Sequence, residues 1–424
     1  MSSPEHVVVV GAGLGGLRTV ESLRAAGFAG RISLVGDEPH LPYDRPPLSK
    51  EVLSGRWTED RAMLRRGELS DLDVALRLGT AVVGVDTAAV QLADGTQLSY
   101  DTLVVATGVR PRRLPGQPDH PRWHMLRTLE DCRALRASMS QARSLLVVGA
   151  GFIGAEVAAT ARAAGLEVTV LEALSVPFAR ILGEQMGELC ARLQTDNGVT
   201  MRTGVRLTEF LDTGFLDTGF LNPGFDDTSA AGIAARLSDG SIVRADCGVV
   251  GVGTVVEGEW LSGLGVPADN GLACDATGLV VGTGNVYAVG DVAAWPHPIF
   301  GDSPRIEHWT SATEQAMVVA QRITGTEIIG PADVIPYFWS DQYGLKLQLV
   351  GRPDRATSVE VLHDPGAIKG TGVIKGTVAG YFSDDALVAA LAFHSPRLLN
   401  RCRALIRDGA SAWQVRDTVK ELTS

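Results

Sequence analysis

Two glycine clusters of the same spacing are the residues best equipped for chemistry. Gly11-Ala12-Gly13-Leu14-Gly15-Gly16 and Gly149-Ala150-Gly151-Phe152-Ile153-Gly154 both read G-x-G-x-x-G. Each is followed by an acid roughly 20 residues on, Asp37 in the first case and Glu172 in the second. Glycines at this spacing let backbone N–H groups approach a pyrophosphate, and a helix that starts there adds favourable positive potential. The acid closing the next strand can accept hydrogen bonds from an adenosine ribose. Gly11, Gly13, Gly16 and Asp37 therefore form one candidate nucleotide site, with Leu14 and Gly15 in its turn and Glu38 as the alternative acid. Gly149, Gly151, Gly154 and Glu172 form a second, with Phe152 and Ile153 in its turn. Two dinucleotide sites in one chain imply two cofactors that must meet, and the usual reason is hydride transfer between a flavin and a nicotinamide.

Lys50 is set apart by cation usage. Of 38 basic residues only five are lysine, and Lys50 is the only one before Lys346. A compact ammonium and a planar guanidinium are not interchangeable, so a retained lysine is a candidate for a specific electrostatic role. The five cysteines, Cys132, Cys190, Cys247, Cys274 and Cys402, contain no C-x-x-C pair and no metal-ligand or iron–sulfur spacing. They read as reduced, mostly buried thiols. The eight histidines are scattered, so no metal site is expected.

The elements that must position these residues follow from hydrophobic periodicity. HVVVV (6–10) predicts a buried strand that runs into the first glycine cluster, then a helix to about Ala26 and a strand RISLV (31–35). SLLVV (144–148) leads into the second cluster, then a helix through about Ala164 and a strand EVTVL (167–171) that ends at Glu172. Each is the β-turn-α-β context a dinucleotide fingerprint requires. TLVVATG (102–108) and TGNVYAVGD (283–291) predict two further strands ending in small-residue turns. The expected fold class is α/β. Two Rossmann-like dinucleotide-binding domains, residues 1–110 with 251–325 and residues 111–250, precede a C-terminal α+β domain, residues 326–424. In that last domain PYFWSDQYGLKLQLVG is strand-like, and a helical tail is expected from about Pro396 to Glu421. A tandem five-residue near-repeat, LDTGF-LDTGF-LNPGF (211–225), fits neither helix nor strand period and predicts an enlarged hairpin loop between VRLTEF and GIAARL.

Composition narrows the function class. A length of 424 residues suggests two to three domains at roughly 150 residues each. Hydrophobic residues at 45% and charged residues at 21% argue against a mostly disordered chain. A net charge of −11 demotes a general nucleic-acid binder. No apolar run approaches the roughly 20 residues of a membrane span, so no membrane insertion is expected. MSSPEH lacks the positive start of a signal peptide, and the expected location is cytoplasmic.

VVVVGAGLGGL, LVGDEPHLPYDRPPLSK, LVVATGVRPR, LRTLED, VVGAGFIGAEVAA, VYAVGD, RIEHWTSATEQA and FWSDQYGLKLQLVG occur in this order over nearly all of the chain. Together they resemble the FAD-dependent ferredoxin reductases of bacterial oxygenase systems, which have a glutathione-reductase-like fold. PYDRPPLSK and WSDQYG are far more specific than the glycine motifs. The resemblance implies that the first fingerprint and Asp37 hold the FAD adenosine half. It places Lys50 near the isoalloxazine, with Val83, Ala106, Thr107, Gly108 and Arg127 lining the flavin. It gives Asp291 the ribityl chain or phosphate and Trp309 the flavin ring region. The second fingerprint would bind NAD, with Glu156 near the nicotinamide, where it could pair with Lys50. The implied reaction is hydride transfer from NADH to FAD N5, then single electrons to a [2Fe–2S] ferredoxin that supplies a cytochrome P450 or ring-hydroxylating oxygenase.

Disulfide reductases of this fold carry a cysteine pair after the second strand, where this chain has PYDRPPLSKEVL. The electron acceptor is therefore expected outside the chain. Glu172 at a strand end, with no arginine before Arg180, predicts NADH over NADPH. Ferredoxin docking is expected near Trp339. An acidic partner needs a local basic patch on an acidic chain, and the candidates are Arg65, Arg66, Arg397, Arg401, Arg403 and Arg407. Two departures from the family pattern are the pentapeptide repeat and GVGTVVEGEWL, where many members have Pro-Asn. Two alternatives stay open: an NAD(P)H-dependent reductase of quinones or small radicals, and a binding flavoprotein like the apoptosis-inducing factors.

Overall fold

The computed structural model describes residues 4–65, 69–211, 232–327, 335–366 and 375–423. The chain divides into two compact units. Unit 1 is Met1–Asp44, Glu59–Arg110 and Thr254–Phe338, and unit 2 is Arg45–Thr58, Pro111–Gly253 and Trp339–Ser424. The described residues contain seven α-helices: α1 Leu14–Ala25, α2 Leu129–Met139, α3 Phe152–Ala163, α4 Ala179–Asp196, α5 Trp309–Thr324, α6 Pro396–Arg407 and α7 Ala412–Thr423. None is long and apolar enough to cross a membrane.

In unit 1 a five-stranded parallel sheet runs in the order 286–288, 102–105, 6–10, 31–35, 74–77. The His6–Val10 strand lies inside the sheet and is buried along its whole length. This is why residues 7–10, VVVV, form a continuous apolar run and not an alternating one. Helix α5 packs along α1. A three-stranded antiparallel meander, Val82–Val85, Ala89–Leu92 and Gln97–Ser99, completes the unit.

Unit 2 repeats the plan. Its five-stranded parallel sheet has the order 199–202, 167–171, 144–148, 247–250, 123–124. Strands Leu207–Leu211 and Ile233–Leu237 pair antiparallel, so the expected hairpin is present. The near-repeat from residue 212 onward lies outside the described residues. A second five-stranded sheet follows, in the order 337–342, 345–351, 386–393, 378–383, 358–363. Helix α6 buries Leu398, Leu399, Cys402, Leu405 and Ile406 on the face that packs against this sheet. The helical tail is interrupted at 408–411, so α6 and α7 are separate.

The unit boundaries differ from those read in the sequence. Residues 45–58 were expected in the first domain but group with unit 2. The reason is local: Thr160 Oγ1 on α3 donates to the Ser49 carbonyl at 2.8 Å, and Cys132 Sγ on α2 lies 3.2 Å from the Leu48 carbonyl. Residues from Trp339 onward group with 111–253 and do not stand alone.

Candidate functional site

The two fingerprints are built alike. Gly11 N donates to the Val35 carbonyl at 2.7 Å, and Gly149 N donates to the Leu171 carbonyl at 2.8 Å. Both glycines have positive φ, 111° and 100°. A Cβ on Gly11 would sit 2.2 Å from the Ala106 carbonyl oxygen, and one on Gly149 would sit 2.3 Å from that of Gly251. Gly16 and Gly154 allow close helix–strand packing, because their Cβ atoms would meet the Gly11 and Gly149 carbonyl oxygens at 1.9 and 2.1 Å. Gly13 and Gly151 differ, since a Cβ there meets nothing within 4 Å. They are the N-caps of α1 and α3, neither has a side-chain cap, and neither helix has an acid in its first turn. Uncapped helix N–H donors facing open space, with positive potential, suit a pyrophosphate in each unit.

Asp37 and Glu172 close the strands after the two fingerprints. Glu172 Oε2 accepts from Ala150 N and Oε1 accepts from Leu174 N, each at 2.9 Å, which fixes the carboxylate over the turn. Asp37 is held differently, by the guanidinium of Arg110, which also bonds Glu257 at 2.7 Å. Burial opposes the Arg110 charge, but the hydrogen bonds it donates to Glu257 and Asp37 outweigh this and push the group above its ordinary value. Arg110 was missed in the sequence, where nothing separates it from its neighbours in RPRR. Glu38 is occupied by the Tyr43 hydroxyl.

The remaining candidates in unit 1 scatter around its sheet. Ala106 is buried, with its N–H on the Val10 carbonyl at 2.7 Å, Thr107 is exposed, and Gly108 has positive φ. Val83 is 53% exposed on the small meander. Gly290 N, beside Asp291, donates to Gln315 on α5 at 2.8 Å. Trp309, first residue of α5, donates its indole N–H to Asp44 at 2.9 Å, and the Arg18 guanidinium lies 6.0 Å from its ring. Next to it, Thr310 Oγ1 is shielded from solvent with no hydrogen-bond partner among the described residues. An orphaned hydroxyl at a helix start, with an open glycine cradle in the same unit, fits a bound flavin dinucleotide.

Unit 2 brings together Lys50 and Glu156, which lie 106 residues apart. Lys50 Nζ is 2.9 Å from Glu156 Oε2, and both residues are buried, at 7% and 3% exposure. Ser49 Oγ donates to the same oxygen at 2.5 Å. Glu156 Oε1 accepts from Ser340 Oγ at 2.8 Å and Asp341 N at 3.1 Å. Ser49 and Ser340 were also missed, because an isolated serine carries no pattern. Arg127 precedes α2, whose capping box pairs Thr128 with Asp131. Phe152 stacks on Phe178 with centroids 4.6 Å apart, and Ile153 is 45% exposed. Trp339 is half-buried on the 337–342 strand.

Among the docking candidates, Arg65 is engaged by Glu21 at 3.2 Å and Asp71 at 3.7 Å, which compensates its charge. Arg66 lies outside the described residues. On α6, Arg397, Arg401 and Arg407 are exposed and Arg403 is half-buried. All five cysteines are buried, and none forms a disulfide. Burial pushes the thiols of Cys190, Cys247, Cys274 and Cys402 up to about 12, so they stay protonated. The described residues hold no cluster of three acids, histidines or cysteines able to bind a metal.

Comparison with known proteins gives the family. The pyridine nucleotide-disulphide oxidoreductase model matches residues 5–316, and the reductase C-terminal model matches residues 337–422. The chain is 40% identical over 351 residues to rhodocoxin reductase of Rhodococcus erythropolis, covering 81% of this chain and 78% of that protein. It is 39% identical over 349 residues to the ferredoxin–NAD(+) reductase component of the p-cumate 2,3-dioxygenase system of Pseudomonas putida, covering 81% of each. The covalent putidaredoxin reductase–putidaredoxin complex matches with a TM-score of 0.87 at 30% identity, covering 99% of this chain and 98% of that one. The chain therefore belongs to the pyridine nucleotide-disulphide oxidoreductase family, among the ferredoxin reductases that carry the reductase C-terminal domain.

Proposed function

We propose that this chain is an NADH:ferredoxin oxidoreductase that holds FAD in unit 1 and NAD in unit 2, and serves a cytochrome P450 or ring-hydroxylating oxygenase in the cytoplasm. The observation that carries the reading is a pair of nucleotide cradles with no thiol acceptor. The five cysteines are buried and form no disulfide, and the segment PYDRPPLSKEVL, where disulfide reductases of this fold carry their cysteine pair, holds Lys50 and no cysteine. Bound FAD would accept two electrons at once and release them singly, which a one-electron carrier outside the chain requires.

The chain's own residues bind, orient and select. The α1 and α3 N-termini hold the two pyrophosphates. Lys50 provides a fixed positive charge that favours electron density on a neighbouring ring. Glu156 fixes the Lys50 ammonium in one place. Glu172 accepts from a ribose 2′-hydroxyl and repels a 2′-phosphate, which gives NADH preference over NADPH. The partner is a [2Fe–2S] ferredoxin that docks near Trp339, with the exposed Arg397 and Arg401 of α6 as its basic contacts. The internal pairing of Arg65 makes it the weaker contact.

Stopped-flow reduction of the purified holoprotein tests the reading against its alternatives. Rapid bleaching of the flavin by NADH, faster than by NADPH, is expected. Slow reduction followed by a change of oligomeric state would instead favour a redox-controlled binding protein. Equal or better kcat/KM with NADPH would overturn the role given to Glu172.

A further inference from the structure

The two chain segments that flank the first glycine turn are joined to each other by an ion pair that the reaction above does not use. The 6–10 strand lies between the 31–35 and 102–105 strands in the sheet of unit 1. The glycine turn starts where this middle strand ends, so the continuations of its two neighbours pass on either side of the turn. On one side, a Cβ at Gly36 would sit 2.6 Å from that of Ala12. Asp37, the next residue, is thereby set beside the turn. On the other side, a Cβ at Gly11 would meet the Ala106 carbonyl oxygen at 2.2 Å and Thr107 N at 2.7 Å. This second segment leads to Arg110. Its Nη2 donates to Asp37 Oδ2, and its Nε donates to Glu257 Oε2 at 2.7 Å. Asp37, Arg110 and Glu257 all belong to unit 1.

Fold stability does not account for this arrangement. The side chains of Arg110, Asp37 and Glu257 are 43%, 40% and 59% exposed, and ion pairs so exposed add little to stability. The effect of the pair is local. Asp37 is the acid that closes a β-turn-α-β unit, and a carboxylate there accepts from the ribose hydroxyls of a dinucleotide. Among the described residues, Arg110 is the only partner of the Asp37 carboxylate. The bond falls on Oδ2, which leaves Oδ1 to accept from a ribose. A guanidinium is planar and presents its N–H groups in a fixed fork. Glu257 takes one arm of that fork and Asp37 takes another. Glu257 therefore fixes the guanidinium plane, and the plane fixes the Asp37 carboxylate.

We propose that Arg110 is a positioning residue for the dinucleotide of unit 1: held by Glu257, it orients the Asp37 carboxylate towards the adenosine ribose. The proposal rests on the reading that this dinucleotide is FAD. It assigns a cofactor-holding role to residues 106–110 and 254–257, the segments by which the chain leaves unit 1 and returns to it. Neither segment belongs to the G-x-G-x-x-G turn. Without Arg110 the Asp37 carboxylate is free to rotate, and its bonds to the ribose weaken. The backbone donors of the glycine turn are left as they were, so the loss is confined to the ribose.

The test titrates the full chain, stripped of flavin, with FAD and with an FAD analogue whose adenosine half is 2′,3′-dideoxy. The proteins are the wild type, Arg110→Met and Arg110→Lys. The wild type should hold FAD more tightly than the analogue, because only FAD offers the ribose hydroxyls. Arg110→Met should raise the Kd of FAD by about tenfold, the worth of one hydrogen bond to a charged group, and raise that of the analogue much less. Arg110→Lys keeps the charge but lacks the planar fork, so it should weaken FAD to a smaller extent and with the same selectivity. An unchanged Kd of FAD in Arg110→Met overturns the proposal. An equal loss of FAD and analogue also overturns it, because a residue that only supports the fold would weaken both. If Arg110→Met does not fold, Arg110→Lys is judged by the same two criteria. A wild type that binds the analogue as tightly as FAD overturns the ribose role of Asp37 and the proposal with it. None of these titrations uses NADH or ferredoxin. Failure of electron transfer would overturn the proposed function, while the binding constants would still decide this point.

Discussion

Lys50 and Glu156 are buried together, so removing one partner leaves an uncompensated charge away from water. Such a loss costs about 3–5 kcal/mol, whereas replacing both partners by neutral groups of similar size is close to neutral. Lys50→Met alone should therefore lower the melting temperature clearly, and Lys50→Met with Glu156→Gln should recover most of the loss. Thermal melts of the three proteins check this. Lys50→Ala should also slow flavin reduction while FAD stays bound, and reduction at the wild-type rate would leave Lys50 a structural residue only. At this scale the sequence was legible where a residue type was rare or a spacing was rigid. Lys50 stood out because arginine replaces lysine almost everywhere else in the first 345 residues. Ser49, Ser340 and Arg110 did not stand out, because their partners lie 73 or more positions away in the chain.

The glycine turns behave as elements, and their positions differ in what they tolerate. Gly16→Ala should break the strand–helix packing, because its Cβ would meet a backbone carbonyl oxygen at 1.9 Å. Gly13→Ala faces open space and should fold, yet place a methyl group in the pyrophosphate cradle. Far-UV circular dichroism with flavin absorbance separates the two outcomes: Gly16→Ala loses structure, whereas Gly13→Ala keeps it and loses FAD. The first strand carries a second prediction. His6 Nε2 bonds Ser33 Oγ at 2.9 Å, and Arg31 approaches its Nδ1 at 2.8 Å. Burial, and then the Arg31 charge, lower His6 from its ordinary 6.5. The unfolded chain therefore binds the extra proton first, and stability is lost as pH falls below about 6.5. The melting temperature should fall less between about pH 7.5 and pH 5.5 in His6→Gln than in the wild type. Both β-turn-α-β units and the 207–237 hairpin were legible from period and glycine placement. The break between α6 and α7 was not, because Gly409 interrupts a pattern that is amphipathic on both sides.

At the scale of the whole molecule, charge governs association. The chain carries −11, so an acidic ferredoxin is repelled at long range and must be held by a local basic patch. Arg401→Glu should raise KM for ferredoxin, leave NADH–ferricyanide activity intact and flatten the salt dependence of electron transfer. Turnover independent of salt in the wild type would contradict electrostatic docking, since screening acts over roughly 8–10 Å at physiological ionic strength. Domain boundaries were the least legible feature at this scale. Residues 45–58 follow the first fingerprint in sequence, yet hydrogen bonds from α2 and α3 tie them to unit 2. The central claim, that electrons from NADH leave this chain for a ferredoxin, is tested most directly by cytochrome c reduction with and without added [2Fe–2S] ferredoxin. The account predicts little reduction by NADH and holoprotein alone, and a large rate that saturates with ferredoxin. A rate unchanged by ferredoxin, with efficient turnover of a quinone in its place, would contradict it.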